Sequence, residues 1–483
     1  MKKFIAVVLM IPLLALSVSA CASPTPAVQP PPATLQAPSD TPTAQYRRRR
    51  TPTPEVPTQT PSPFVIPPTS TPTPIASPNS AYAISAVYVQ MGGDQAQDSQ
   101  SFTAGDPDQS AIYVSNSGRL TLTNATITTS GSTTSLYNSG LHGLNAAVLA
   151  AGGSRITMTD SSIASSGAGA GGVFVSDASS AATLTNVTVQ TGANAAPGVV
   201  AANGASLTLT TVDITTTGDN SGAIAGGQGG GKVDVTGGAA ITSGQNSPDL
   251  YATGAMTVTR STLSATASEA AVIDGPGSIA LTKTSLFSNH KNWGVLIYQS
   301  TPAGGQGAKG AFSMDGGSLS YGFTGYPLFF VTNTTAVINL KGAILSSASK
   351  ILLQAGAGNW GASGSNGGSV VFTADSQDLT GDFVADNLSS ISLTLQKDAT
   401  LTGAINTAHT AKSILLSMDA TTTWDVTGDS TLTCLEDPGE IYDTAVANIN
   451  GHGHTVYYDA GACPRLLGRT IPLPTGGSLQ PAK

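Results

Sequence analysis

Charge is scarce in this chain. Asp, Glu, Lys and Arg make up 10% of its 483 residues, against about 25% in an ordinary globular protein. That scarcity argues against a compact enzyme with a broad solvated surface. The formal net charge is -8, so no basic excess exists to neutralise phosphates, and nucleic acid is excluded as a partner. Long apolar runs are also missing. The stretch Phe4 to Leu16 is broken by Pro12 and falls short of the ~18–20 residues of a membrane-spanning helix. No Gly-x-Ser-x-Gly elbow and no phosphate loop occurs. What is present is Gly, at 55 residues, with abundant Ala, Ser and Thr. Val, Ile, Leu and Thr recur in strand-like clusters, which excludes disorder throughout.

The first residues read as an export signal. Met1-Lys2-Lys3 is a positive n-region, Phe4 to Leu16 an apolar h-region, and Val18-Ser19-Ala20-Cys21 resembles the lipobox of bacterial lipoproteins. That resemblance implies a diacylglycerol on Cys21, cleavage after residue 20 and attachment to a membrane through the lipid; an ordinary secretory signal is the alternative. Either way an extracytoplasmic location is expected, at the cell membrane or cell surface. Residues 21–80 are nearly all Pro, Thr, Ser, Ala and Gln, as in Thr51-Pro52-Thr53-Pro54. Such a segment buries too little apolar surface to offset its ordering entropy, so a disordered, extended stalk is expected. Arg47-Arg48-Arg49-Arg50 interrupts it, as an anion-holding patch, a protease site or a solvated run. Of the three cysteines, Cys21 is taken by lipid. Cys434 and Cys463 are then expected to pair, a bridge worth roughly 3 kcal/mol in the chain-entropy model.

From residue 81 a phrase returns: an alternating strand, a small-residue turn, a second strand and Gly. Taking its central apolar residue gives Leu122, Met158, Leu184, Leu209, Val235, Val258, Leu281, Met314, Leu340, Phe372, Leu395 and Met418, most of them 23 to 26 residues apart. Each unit carries a third apolar cluster, such as Val173-Phe174-Val175 or Val295-Leu296-Ile297. A short period with no helical pattern inside it is one coil of a solenoid. The expected fold is all-β: a right-handed parallel β-helix over 81–430, three strands per coil and about 12 coils, followed by a C-terminal cap and tail over 431–483. Outward Thr-x-Thr pairs (Thr121 and Thr123, Thr157 and Thr159, Thr183 and Thr185) should form a ladder, similar to solenoid ice-binding faces, although Thr also simply suits an exposed strand.

This pattern resembles the pectin-lyase-like β-helix superfamily and, more closely, adhesin-like bacterial surface proteins. Phe330 to Leu340, Asn359-Trp360-Gly361, Asn366-Gly367-Gly368 and Leu401 to Asn406 carry the resemblance. It implies a β-helical surface protein acting in adhesion or carbohydrate binding without catalysis. The rival is a polysaccharide lyase or glycoside hydrolase on the same scaffold.

Candidate sites follow from composition along the rod. Insertions at Ser300 to Gly310 and Gly356 to Gly368 should protrude from one edge. Trp293, Tyr298 and Trp360 beside them suit stacking on sugar rings, with Asn359 and Asn366 as hydrogen-bond partners. The same tryptophans would equally serve to pin the loops. Asp375, Asp378, Asp382 and Asp386 offer carboxylate oxygens of the kind calcium takes, yet no basic residue stands in register to abstract a proton. No cofactor is therefore expected, calcium being the one the cluster would suit. His452 and His454 share a strand face near Asp459, which is too few ligands to define a metal site.

Overall fold

The computed structural model describes residues 83–300, 309–437, 441 and 445–482. Cys21, the Pro/Thr segment, Arg47 to Arg50 and most of the Ser300 to Gly310 insertion lie outside the described residues. The chain is a right-handed parallel β-solenoid of about 15 turns. Its three faces are long parallel sheets. The first has 12 strands, running from Ser85–Met91 to Asp382–Ala385. The second has 14, from Asp94–Asp98 to Cys434–Glu436, and the third has 10, from Ser101–Ala104 to Ile344–Ser347. A four-stranded sheet from Asp378–Thr380 to Ile449–Asn450 follows the third. At the end, Ser430–Leu432, Thr455–Tyr458 and Ser478–Pro481 stack in parallel, and Ile471–Pro472 pairs antiparallel with the last of them.

Alternation in the second sheet builds the core. Leu122, Met158, Leu184 and Leu209 lie in one buried column, and Leu120, Ile156, Ala182 and Leu207 in a second beside it. Thr121, Thr157, Thr183 and Thr208 alternate outward in register, and Asp234 and Ala280 interrupt their column. One rung departs from the sequence reading. Ala374, not Phe372, stands opposite Leu340 and Leu395, while Phe372 joins the column of Ile338 and Leu393. The larger side chain drew the alignment two residues too early. Phe372 instead fills its column edge-on to Phe329 and Phe383.

The corner between the second and third sheets turns on a left-handed residue, Asn124, Asp160, Asn186, Thr211, Gly237, Arg260 and Lys283, all with φ between 50 and 67°, and at Gly237 the next residue, Gly238, is left-handed as well. Asn and Asp tolerate this region because their side chains bond locally. Here they also bond between coils, Asn124 Nδ2 to Asp98 Oδ1 and Asn186 Nδ2 to Asp160 Oδ1, each at 3.1 Å. After the third sheet, a buried hydroxyl closes the next corner. Thr191 and Thr216 donate to the carbonyls of Ala196 and Ser221, at 2.5 and 2.6 Å.

The end coils extend the count beyond the apolar anchors. The strand Asp94–Asp98 places Gln95 and Gln97 opposite Leu120 and Leu122, so the first rung is polar where later rungs are greasy. Gln90 is buried above it, its Nε2 donating to the carbonyls of Gly93 (2.8 Å) and Arg119 (3.0 Å). The 36-residue gap between Leu122 and Met158 holds a helix, Leu136–His142, capped by Ser135 and ended by a left-handed Gly143. Gly143 has to be glycine twice over, since a Cβ would lie 2.4 Å from the ring of Phe174. No helix among the described residues is long and apolar enough to cross a membrane.

Candidate functional site

The strands of the first sheet are apolar at successive positions, so both of their faces are covered. Inward residues join the core. Outward residues form a second column in register: Leu149, Phe174, Val200, Ala225, Tyr251, Val272, Leu296 and Phe330. Over its second half this column meets the insertion at 356–368. Trp360 reaches from that loop to within 4.4 Å of the Tyr298 ring, centroid to centroid, and 6.2 Å of Trp293. Trp293 stacks flat on Phe330 at 4.7 Å.

The expected groove residues are therefore divided. Tyr298 and Trp360 are 3% and 8% exposed, packed on one another and on the sheet. Trp293 is half-buried and Asn359 is exposed. Asn366, 5% exposed, spends its amide on the carbonyls of Gly358 and Trp360 at 2.8 and 2.9 Å, which folds the loop back on itself. Gly361, at φ 80°, lets that loop pass over Asn333, whose Oδ1 would sit 2.1 Å from a Cβ there. Tyr298 and Trp360 still bound a small cleft of about 140 Å³, shared with Pro248, Tyr251, Glu269, Val272 and Leu296. Burial and the nearby Asp274 carboxylate push the Tyr251 phenol well above its usual range. Its hydroxyl donates to Asp274 Oδ2 at 3.1 Å.

Two wider troughs lie elsewhere. One, of about 520 Å³, runs across five strands of the third sheet. Its lining is Thr103, Thr128, Ala164, Gln190 and Thr215, the outward column of those strands, with Ser130, Ser166 and Thr217 at the corner. The other, of about 710 Å³, opens where the third sheet stops and its four-stranded successor begins, between Ser346, Ser347, Ser349 and Lys350 on one side and Asp382, Thr402 and Thr427 on the other.

The acidic residues do not converge. Asp375 pairs with Lys397 at 2.5 Å, and this ammonium above all holds its carboxyl below the usual range. Asp378 accepts from Thr400, Asp382 from the Ala404 amide, and Asp386 from the Ala357 and Leu388 amides. Each carboxylate thus fixes its own corner. His452 and His454 face the coil before them, at 3.0 Å from Asp425 and 3.7 Å from Asp429. Asp459 is turned away, accepting from the amides of Gly461 and Ala462. Among the described residues no three His, Cys, Asp or Glu side chains gather as a metal site requires. A disulfide joins Cys434 to Cys463, with Cα atoms 4.9 Å apart.

No protein family, curated protein or solved structure matches this chain. Its chemistry has to be read from the surfaces themselves. The third-sheet trough presents hydroxyl and amide groups on strands stacked at about 4.8 Å. Sequence reasoning passed over the third-sheet trough and the outward column of Tyr251, Val272, Leu296 and Phe330. The second had a signal. Runs such as Ala271-Val272-Ile273 and Val295-Leu296-Ile297 lack alternation, which marks a strand covered on both sides.

Proposed function

We propose that the protein is a lipid-anchored solenoid, displayed outside the cytoplasm, that binds carbohydrate or other surface polymers without catalysis. The carrying observation is the trough along the third sheet, open, elongated and lined by Thr, Ser and Gln at one side chain per rung. An extended polysaccharide lying along it meets a hydroxyl or amide at each step, and many weak contacts add to useful affinity. The lipobox-like Val18-Ser19-Ala20-Cys21 supports display at a membrane, and the Pro/Thr-rich residues 21–80 supply a spacer. The non-catalytic part draws support from Asp375, Asp378, Asp382 and Asp386, each engaged in a separate local bond. Pairs of free carboxyls about 5–9.5 Å apart are what glycoside hydrolysis needs.

The test combines binding and turnover. Titration of the full chain with acidic and neutral polysaccharides should give saturable binding that Gln190→Ala and Thr215→Ala together weaken several-fold. Incubation with calcium and acidic polysaccharides should release no unsaturated product. Product formation that disappears in Asp378→Ala would establish the lyase in its place. Mass measurement of the mature N-terminus should find diacylglycerol on Cys21, and Cys21→Ser should release the protein from the membrane fraction.

A further inference from the structure

The cleft of about 140 Å³ on the outside of the first sheet combines features that the troughs lack. Its floor is the apolar column, Val272 and Leu296, and its walls are the rings of Tyr251, Tyr298 and Trp360. The Tyr298 and Trp360 rings meet at 50°, so they enclose a corner instead of a flat stack. One carboxylate beside it, Asp274, is already engaged by the Tyr251 hydroxyl at 3.1 Å, and a second acid borders the cleft. Glu269 is only 4% exposed, yet it lines the cleft. Its Oε2 accepts from the Ser268 hydroxyl at 3.0 Å, the one hydrogen bond this carboxylate makes among the described residues. A buried carboxylate without a counter-charge is costly, and the cost is removed when a cation enters beside it.

We infer that this cleft is a binding site for a small alkylated ammonium group, enclosed by Tyr251, Tyr298 and Trp360 and balanced by Glu269. Aromatic faces attract cations through the ring quadrupole, most strongly where water is excluded. An alkylated ammonium carries no set of N–H donors to satisfy, so one carboxylate and aromatic walls suffice. A primary ammonium would need acceptors for three donors. Calcium would need six to eight oxygens. At about 30 Å³ for the share of one water molecule, the cleft holds about four or five heavy atoms, the size of a trimethylammonium head. That is below the ~300–1,000 Å³ of ordinary small-molecule pockets. The site is independent of whatever polymer the third-sheet trough binds.

Choline is the probe, with 3,3-dimethyl-1-butanol as its uncharged isostere. Titration into the full chain, disulfide intact, is followed by calorimetry and by tryptophan fluorescence. Two of the three tryptophans, Trp293 and Trp360, lie in or beside the cluster, while Trp424 is fully buried elsewhere and serves as an internal reference. Choline should saturate a single site and bind at least about tenfold more tightly than the alcohol. Glu269→Gln, which keeps the shape of the side chain, should weaken choline about tenfold, leave the alcohol unchanged and leave the ligand-free chain at least as stable to heat. Equal affinity for choline and the alcohol, or choline affinity unaltered in Glu269→Gln, would reduce the cleft to an apolar crevice and overturn the inference. Absence of saturation at tens of millimolar choline would do the same.

Discussion

The Asp249 carboxyl is fully buried at the corner before the strand Leu250–Ala252, and neither oxygen receives a hydrogen bond of ordinary geometry. The Thr242 hydroxyl is the polar group that faces it. Burial pushes this carboxyl well above the ordinary carboxylate value, and Thr242 offsets only part of the effect. Below that ordinary value the group is protonated whether the chain is folded or not. As pH rises past it, the unfolded chain releases its proton while the folded chain keeps it, so stability falls. Asp249→Asn should therefore raise stability at pH 7 by about 1–3 kcal/mol, with the gain shrinking toward pH 3. Thermal unfolding across that range checks it, and a pH-independent difference would contradict the assignment. Asp425 works in the other direction. The hydrogen bond to His452 lowers its carboxyl below the usual range, so its contribution is present at neutral pH and lost as pH falls through the lowered value. Both partners are more than a third exposed, which keeps that contribution under about 1 kcal/mol.

Within a strand, neighbouring residues have opposite fates. Leu184 is buried in a column between Met158 and Leu209, while Thr183 one position earlier faces solvent. Leu184→Ala should cost about 2–5 kcal/mol through lost burial and an uncollapsed cavity, and Thr183→Ala no more than about 0.5 kcal/mol. Urea denaturation of the two variants separates the faces. This alternation was the part of the fold most legible in the sequence, because period two and a 23-to-26-residue return leave few architectures. Legibility failed where bulk and position disagreed. Ala374 is too small to read as a core anchor, so Phe372 took its place; Gln95 and Gln97 hide the first coil because an end rung is polar. The helix Leu136–His142 is a single seven-residue insertion without an apolar face long enough to register. The aromatic cluster was half legible. Trp360 and Tyr298 stood out by type, whereas Glu269 and Tyr251 are brought to them only by coil-on-coil stacking across roughly 30 to 110 residues of chain.

At the scale of the molecule, contacts run from each coil to the next, and none of the three long sheets folds back on itself. Stability is then a sum over coils and their interfaces. The two ends differ. The chain enters through a polar rung, Asp94–Asp98, and leaves through a segment tied by Cys434–Cys463 and shut by the antiparallel strand Ile471–Pro472.

That asymmetry has a mechanical consequence. A pull on the amino-terminal end loads the first coil alone, since parallel strands stacked along one axis peel in series. Each coil of 23 to 26 residues would release about 80–90 Å of extended chain. Single-molecule stretching should give a sawtooth with that spacing, beginning at the weak polar rung. The length held between Cys434 and Cys463 should appear only after reduction. Force on such a rod is answered by lengthening, one coil at a time, while the coils farther along stay folded.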